Sequence, residues 1–120
     1  MEKELFDFVS ERAQTLATAG SSKQTTAEAA TKWLEAVKAD SSDDAVDAAT
    51  TELLDYLEGR PRTIDDIIAF SEGPAKELFG EDAAAQMLEK HTQRKADGEK
   101  FCDCPSCSSA SQLLEKFGRI

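Results

Sequence analysis

Ser42-Asp43-Asp44-Ala45-Val46-Asp47-Ala48-Ala49-Thr50-Thr51-Glu52-Leu53-Leu54-Asp55-Tyr56-Leu57-Glu58-Gly59 is the stretch whose reading decides the fold class. Ser42 is of a residue type whose side-chain oxygen caps helix N-termini, and Asp43 and Asp44 place negative charge at the positive end of a helix dipole. Val46, Ala49, Leu53, Tyr56 and Leu57 recur at steps of three and four, which gathers them on one face of a helix. Gly59 and Pro61 stop it.

The same grammar repeats on both sides. Upstream, Thr25 followed three residues later by Glu28 fits a capping box, and Ala30, Trp33, Leu34 and Val37 form the stripe of a helix closing near Asp40. Before the Ser21-Ser22 loop, Glu2 to about Ala19 carries Leu5, Val9, Ala13 and Leu16 on one face and ends at Gly20. Downstream, Thr63 with Asp65 and Asp66 caps a shorter helix carrying Ile67, Ile68 and Phe70. Gly73-Pro74 breaks that helix and starts another through Leu78 and Phe79 to Gly80. Asp82 opens a longer one with Ala84, Met87, Leu88 and His91 on one face, running to about Lys95. Pro105, at a first-turn position, leads into Cys107, Ala110, Leu113, Leu114 and Phe117 and a stop near Gly118.

No window alternates strictly enough for a strand. The expectation is an all-α fold, one helical domain over residues 1–120, built as a compact bundle of six to seven short helices with a cysteine-rich loop at 101–107. Trp33, Tyr56 and Phe70 are assigned to the core. The acidic runs Asp40 to Asp47 and Asp65-Asp66 read as caps and solvated faces, because an EF-hand needs oxygen ligands at alternating positions, a central Gly and a terminal Glu.

Composition narrows the function. The 120 residues carry 24 acidic and 14 basic side chains, a net charge of -10, which argues against a nucleic-acid-binding surface and against adhesion to anionic membranes. The N-terminus lacks the uninterrupted apolar stretch of a secretory signal, and no segment approaches the roughly 20 apolar residues that cross a bilayer. A cytoplasmic protein in a reducing compartment is expected. Its three cysteines, an odd number in one cluster, do not form the pattern of a secreted disulfide framework.

Those cysteines carry the chemistry. Phe101-Cys102-Asp103-Cys104-Pro105-Ser106-Cys107 overlaps a C-x-C with a C-x-x-C at the mouth of a helix, a spacing that brings three soft thiolate donors to one point. Zinc sits about 2.3 Å from each sulfur and takes four ligands, commonly all Cys or Cys with His. The chain offers Cys102, Cys104 and Cys107, with His91 as the candidate fourth ligand. Asp103, water or a second copy of the chain are the alternatives. The same spacing suits copper(I) or an iron-sulfur cluster completed from elsewhere. A redox reading competes: Cys104 and Cys107 have thiol-disulfide exchange spacing at a helix N-terminus, with Lys100 nearby, although the βαβ pattern of a thioredoxin-like domain is missing.

No phosphate-binding glycine loop, dinucleotide fingerprint, nucleophile elbow or H-E-x-x-H is present. A single histidine and no Glu-x-x-His argue against a ferritin-like di-iron centre. Redox thiol activity is thus the one enzymatic reading with residues behind it.

From Thr63-Ile64-Asp65-Asp66-Ile67-Ile68-Ala69-Phe70 through Leu78-Phe79-Gly80 to Phe101-Cys102-Asp103-Cys104-Pro105-Ser106-Cys107, the second half resembles a family of short bacterial proteins, many from anaerobes. Its members read C-D-C-P-x-C near the C-terminus, ahead of an apolar helix. Some carry a label borrowed from the ninety-kilodalton heat-shock chaperone, whose ATP-binding domain this chain is too short to hold. The resemblance implies importance for Cys102, Cys104 and Cys107 and names no activity. The expected function is a non-enzymatic, metal-stabilised interaction or storage module, its partner an unidentified protein or a second copy of the chain.

Overall fold

A computed structural model describes residues 1–120 and contains seven α-helices: α1 Lys3–Thr18, α2 Gln24–Ala39, α3 Asp43–Leu57, α4 Ile64–Glu72, α5 Pro74–Phe79, α6 Glu81–Ala96 and α7 Pro105–Lys116. The chain is all-α, as its periodicity requires; the sole β-type pairing is an isolated antiparallel bridge between Thr63 and Phe101. No helix is long and apolar enough to cross a membrane. Within the span expected as one domain, contacts gather into two units, Met1–Pro61 with Asp103–Ile120, and Arg62–Cys102.

In the first unit, the apolar stripes of α1, α2, α3 and α7 close on one core. Val9, Ala13 and Leu16 meet Ala30, Trp33 and Val37, with Val46, Leu53, Leu54 and Leu57 from α3 and Ala110, Leu113 and Leu114 from α7. Trp33 is its largest member, and burying its ring also removes the indole N–H from water. The N–H donates to Thr50 Oγ1 at 3.0 Å, and the Thr50 hydroxyl in turn donates to the Val46 carbonyl at 2.8 Å. No buried side-chain nitrogen or oxygen is left without a partner.

The capping reading holds at one helix and fails at its neighbour. Ser42 Oγ accepts from the Ala45 amide at the start of α3, as expected. At α2 the expected Thr25–Glu28 capping box is absent: the helix begins at Gln24 after Lys23, with no side-chain cap. Thr25 lies one residue inside, and its hydroxyl accepts from the Tyr56 phenol at 2.7 Å. A cap is worth about 1 kcal/mol, and a tie between two helices that also satisfies the polar tip of a half-buried Tyr is an equally good use of the same oxygen. Sequence spacing cannot weigh that alternative.

The second unit is built from α4, α5 and α6. Thr63 and Asp66 form the reciprocal capping box that opens α4. Pro74 starts α5 as read, while α6 opens at Glu81, one residue before the expected Asp82, because Gly80 at φ +89° makes the sharp turn directly between the helices. Ile64 and Ile67 are the large aliphatic side chains that this unit buries, with Ala75, Ala84, Ser71, His91 and Cys102 around them. Phe70, expected in the core, is only half-buried; the Phe79 ring meets it edge-on and the Arg62 guanidinium lies over its face. The unit's two ends are tied by backbone hydrogen bonds from Ile64 to the Lys100 carbonyl and from Cys102 to the Arg62 carbonyl, each 2.8 Å.

The Trp33 contact gives a graded test in urea unfolding followed by far-ultraviolet circular dichroism. Trp33→Ala is expected to cost about 3–5 kcal/mol through the cavity it leaves. Thr50→Val keeps the shape but orphans the indole N–H, and is expected to cost about 1–3 kcal/mol. Equal stability of Thr50→Val and the parent would show that the indole finds its hydrogen bond elsewhere.

Candidate metal site

The chain reaches the cysteines along a held backbone. At Phe101 the carbonyl oxygen accepts from Arg94 Nη2 at 2.9 Å, and at Cys102 the amide is engaged by the Arg62 carbonyl. Arg94 is mostly buried beside this turn. The residue that introduces the first sulfur is thereby fixed from both sides, and Cys102 itself is buried.

The other two sulfurs belong to the first turn of α7. Pro105 occupies the opening position, where its missing N–H costs nothing, so the donors left at this helix end begin with Ser106 and Cys107. The Ser106 amide donates to Ser21 Oγ at 3.3 Å, and Ser22 Oγ donates to the Ser106 hydroxyl at 2.9 Å. The Cys107 amide donates to Cys104 Sγ at 3.3 Å, so a sulfur stands in the N-cap role that an oxygen normally fills. That bond, and the positive end of a 12-residue helix, both favour negative charge on Cys104.

Together these supports leave the Sγ atoms of Cys102, Cys104 and Cys107 all within 4.8 Å of one another. A sphere of metal–sulfur radius about 2.3 Å sets the test: tetrahedral ligands stand about 3.8 Å apart and trigonal ones about 4.0 Å. The three sulfurs therefore need to close by at most about 1 Å, which side-chain rotation supplies. Cys104 and Cys107 are partly buried, while Cys102 is buried. The donor chemistry fits a soft or borderline metal ion, and hydrogen bonding to a ligating sulfur is the kind of outer support that such sites use.

His91, the expected fourth ligand, is not in this group of mutually close donor atoms. It is buried on α6, with Nδ1 3.1 Å from Arg94 Nη1. A guanidinium only donates, so Nδ1 is the acceptor and the ring hydrogen sits on Nε2. Ligation through Nε2 would move that hydrogen to Nδ1, where it would face the guanidinium. Through Nδ1 the imidazole helps to orient Arg94.

Sequence reading missed four supporting groups: Arg94, the Arg62 carbonyl, Ser21 and Ser22. Only Arg94 left a signal, since a residue three positions after His91 on a helix is its surface neighbour. Set against protein-family models, curated proteins and solved structures, the chain matches none.

Arg94→Ala removes the fork that joins the imidazole to the Phe101 carbonyl. A charge-assisted hydrogen bond is worth about 1.5–3 kcal/mol, so amide exchange at Cys102 and Ile64 is expected to accelerate by at least tenfold while helix α2 keeps its protection. Unchanged exchange at those two amides would show that the backbone pairing alone holds the turn.

Proposed function

We propose that this chain is a small helical metal-binding protein in which Cys102, Cys104 and Cys107 hold one ion as thiolates, with zinc the leading ion. It acts as a non-enzymatic interaction or storage module in a reducing compartment such as the cytoplasm. The observation that carries this reading is the convergence of the three sulfurs within 4.8 Å on a partly buried turn. Zinc's lack of a geometric preference from d-electrons suits a site whose shape is set by the turn, and copper(I) or an iron-sulfur cluster would use the same donors. Likeness to the short bacterial proteins with C-D-C-P-x-C adds no activity to this reading; it agrees with it on the same three residues.

Elemental analysis of untagged protein purified without oxygen tests it. About one equivalent of metal per chain, or one shared by two chains, is expected, with loss in Cys104→Ser, since ligand thiols bind as thiolates in a defined number. Metal well below that level in the parent would end the proposal, and bound iron or copper in place of zinc would reassign the ion. Because each ligand must lose a proton, the metal is expected to leave as pH falls, with two to three protons released per ion bound at neutral pH, about the number of thiols that start protonated.

A second reading rests on the Cys107 amide donating to Cys104 Sγ at a helix N-terminus, which also describes an activated thiol. It makes Cys104 and Cys107 a thiol-disulfide oxidoreductase or redox sensor. That reading requires metal-free protein, a reversible Cys104–Cys107 disulfide and a thiol ionising well below about 8.5, the ordinary cysteine value. Thiol titration against pH separates the two.

A further inference from the structure

We propose that Cys104 and Cys107 form a redox-controlled release for the metal held at this site: hydrogen peroxide oxidises the pair to a disulfide and frees the ion, and reduction restores the site. The inference rests on the three-cysteine metal reading and adds to it how the site is regulated. Two observations carry it. First, Cys104 and Cys107 share the opening turn of α7, where Cys104 Sγ accepts from the Cys107 amide at 3.3 Å in a cluster whose sulfurs all lie within 4.8 Å of one another. Residues three apart at a helix start are neighbours, and rotation about the side-chain bonds brings such sulfurs to bonding distance. Cys102 is buried, so the two partly buried sulfurs are the ones that a small oxidant reaches.

Second, the turn between the two sulfurs is held by bonds that involve no sulfur. The Ser106 amide donates to Ser21 Oγ, Ser22 Oγ donates to the Ser106 hydroxyl, and Pro105 fixes the opening backbone angle. The helix start therefore keeps its shape in both oxidation states, which a reversible switch requires. All of these groups belong to one compact unit, Met1–Pro61 with Asp103–Ile120.

One thiolate of the pair attacks peroxide: a sulfur–oxygen bond forms, the oxygen–oxygen bond breaks, and the hydroxide lost takes a proton from solvent to leave as water. The other thiolate attacks the resulting sulfenic acid, so that a sulfur–sulfur bond forms, the sulfur–oxygen bond breaks and a second water leaves after protonation. Two electrons pass from the pair to peroxide, and zinc, which has no redox chemistry, takes no part in the count. A disulfide sulfur carries no charge. Whatever other donors the ion has, it loses two thiolates together and leaves. A dithiol reverses the step by exchange, becoming a disulfide itself as both thiolates return.

The zinc-loaded chain, freed of reductant without oxygen, is titrated with hydrogen peroxide in the presence of a chromogenic zinc chelator. About one zinc is expected to be released per disulfide formed, with the disulfide mapping to Cys104 and Cys107 in protease digests read by mass spectrometry. Far-ultraviolet circular dichroism is expected to stay unchanged, and dithiothreitol to return the thiols and the capacity to bind zinc. Zinc retained after the peroxide is consumed would overturn the inference while keeping the metal site. So would a disulfide that includes Cys102 or joins two chains, or zinc lost together with the helical signal. Reduced protein that takes up no zinc, cobalt or copper would instead remove the metal reading on which the switch stands.

Discussion

A helix that starts with proline has already given up one of its end donors, and the chain has to account for the next ones. At α7 the accounting is done by Ser21 for the Ser106 amide and by Cys104 Sγ for the Cys107 amide. The second of these fixes the chemistry of the turn. Using sulfur as the N-cap acceptor turns Cys104 toward the amide of Cys107, three residues on, and holds both cysteines on the opening turn of the helix. Cys102 needs only a short approach to join them, and the Arg62 and Arg94 contacts give its backbone one path. The site therefore depends on a helix start, which is a local feature, and on supports that are far apart in sequence.

That division explains what could be read in advance. The seven helices were legible because each is written several times over: in a stripe such as Val46, Ala49, Leu53 and Leu57, in a start such as Ser42 or Thr63, and in a stop such as Gly59 or Gly80. Where a single residue type had two possible uses, reading failed. Thr25 has the chemistry of a cap and the spacing of a capping box, yet its oxygen serves the Tyr56 phenol on α3. Sequence shows which groups a residue can offer, and only the packed helices show which partner is nearest.

The three cysteines were legible for the same local reason, since six consecutive residues limit how far apart their sulfurs can lie. Ser21 and Ser22 were read as a loop and nothing more, because a serine between helices has many uses and its partner here is 85 or 84 residues away. His91 shows how a single residue can have a second use. Its place on an apolar stripe and the need for a fourth ligand make it a natural candidate, and neither consideration shows what else an imidazole accepts from. A guanidinium one helical turn away is such a donor.

The arrangement around Arg94 ties the stability of the second unit to the geometry of its last residue. This unit buries few large apolar groups, so its backbone pairing at Ile64 and Cys102 and the fork from Arg94 carry more of its order than similar bonds would in a larger core. Cys102 is the residue at which that pairing ends. An ion on the Cys102 sulfur would restrain the same stretch of chain that the Arg62 carbonyl and Arg94 restrain, so metal binding and local order would draw on one set of contacts. A small helical unit with a thin core would gain more from one such tether than a well-packed domain does, and that gain would be a physical reason for a buried cysteine to stand at this position in place of another aliphatic side chain.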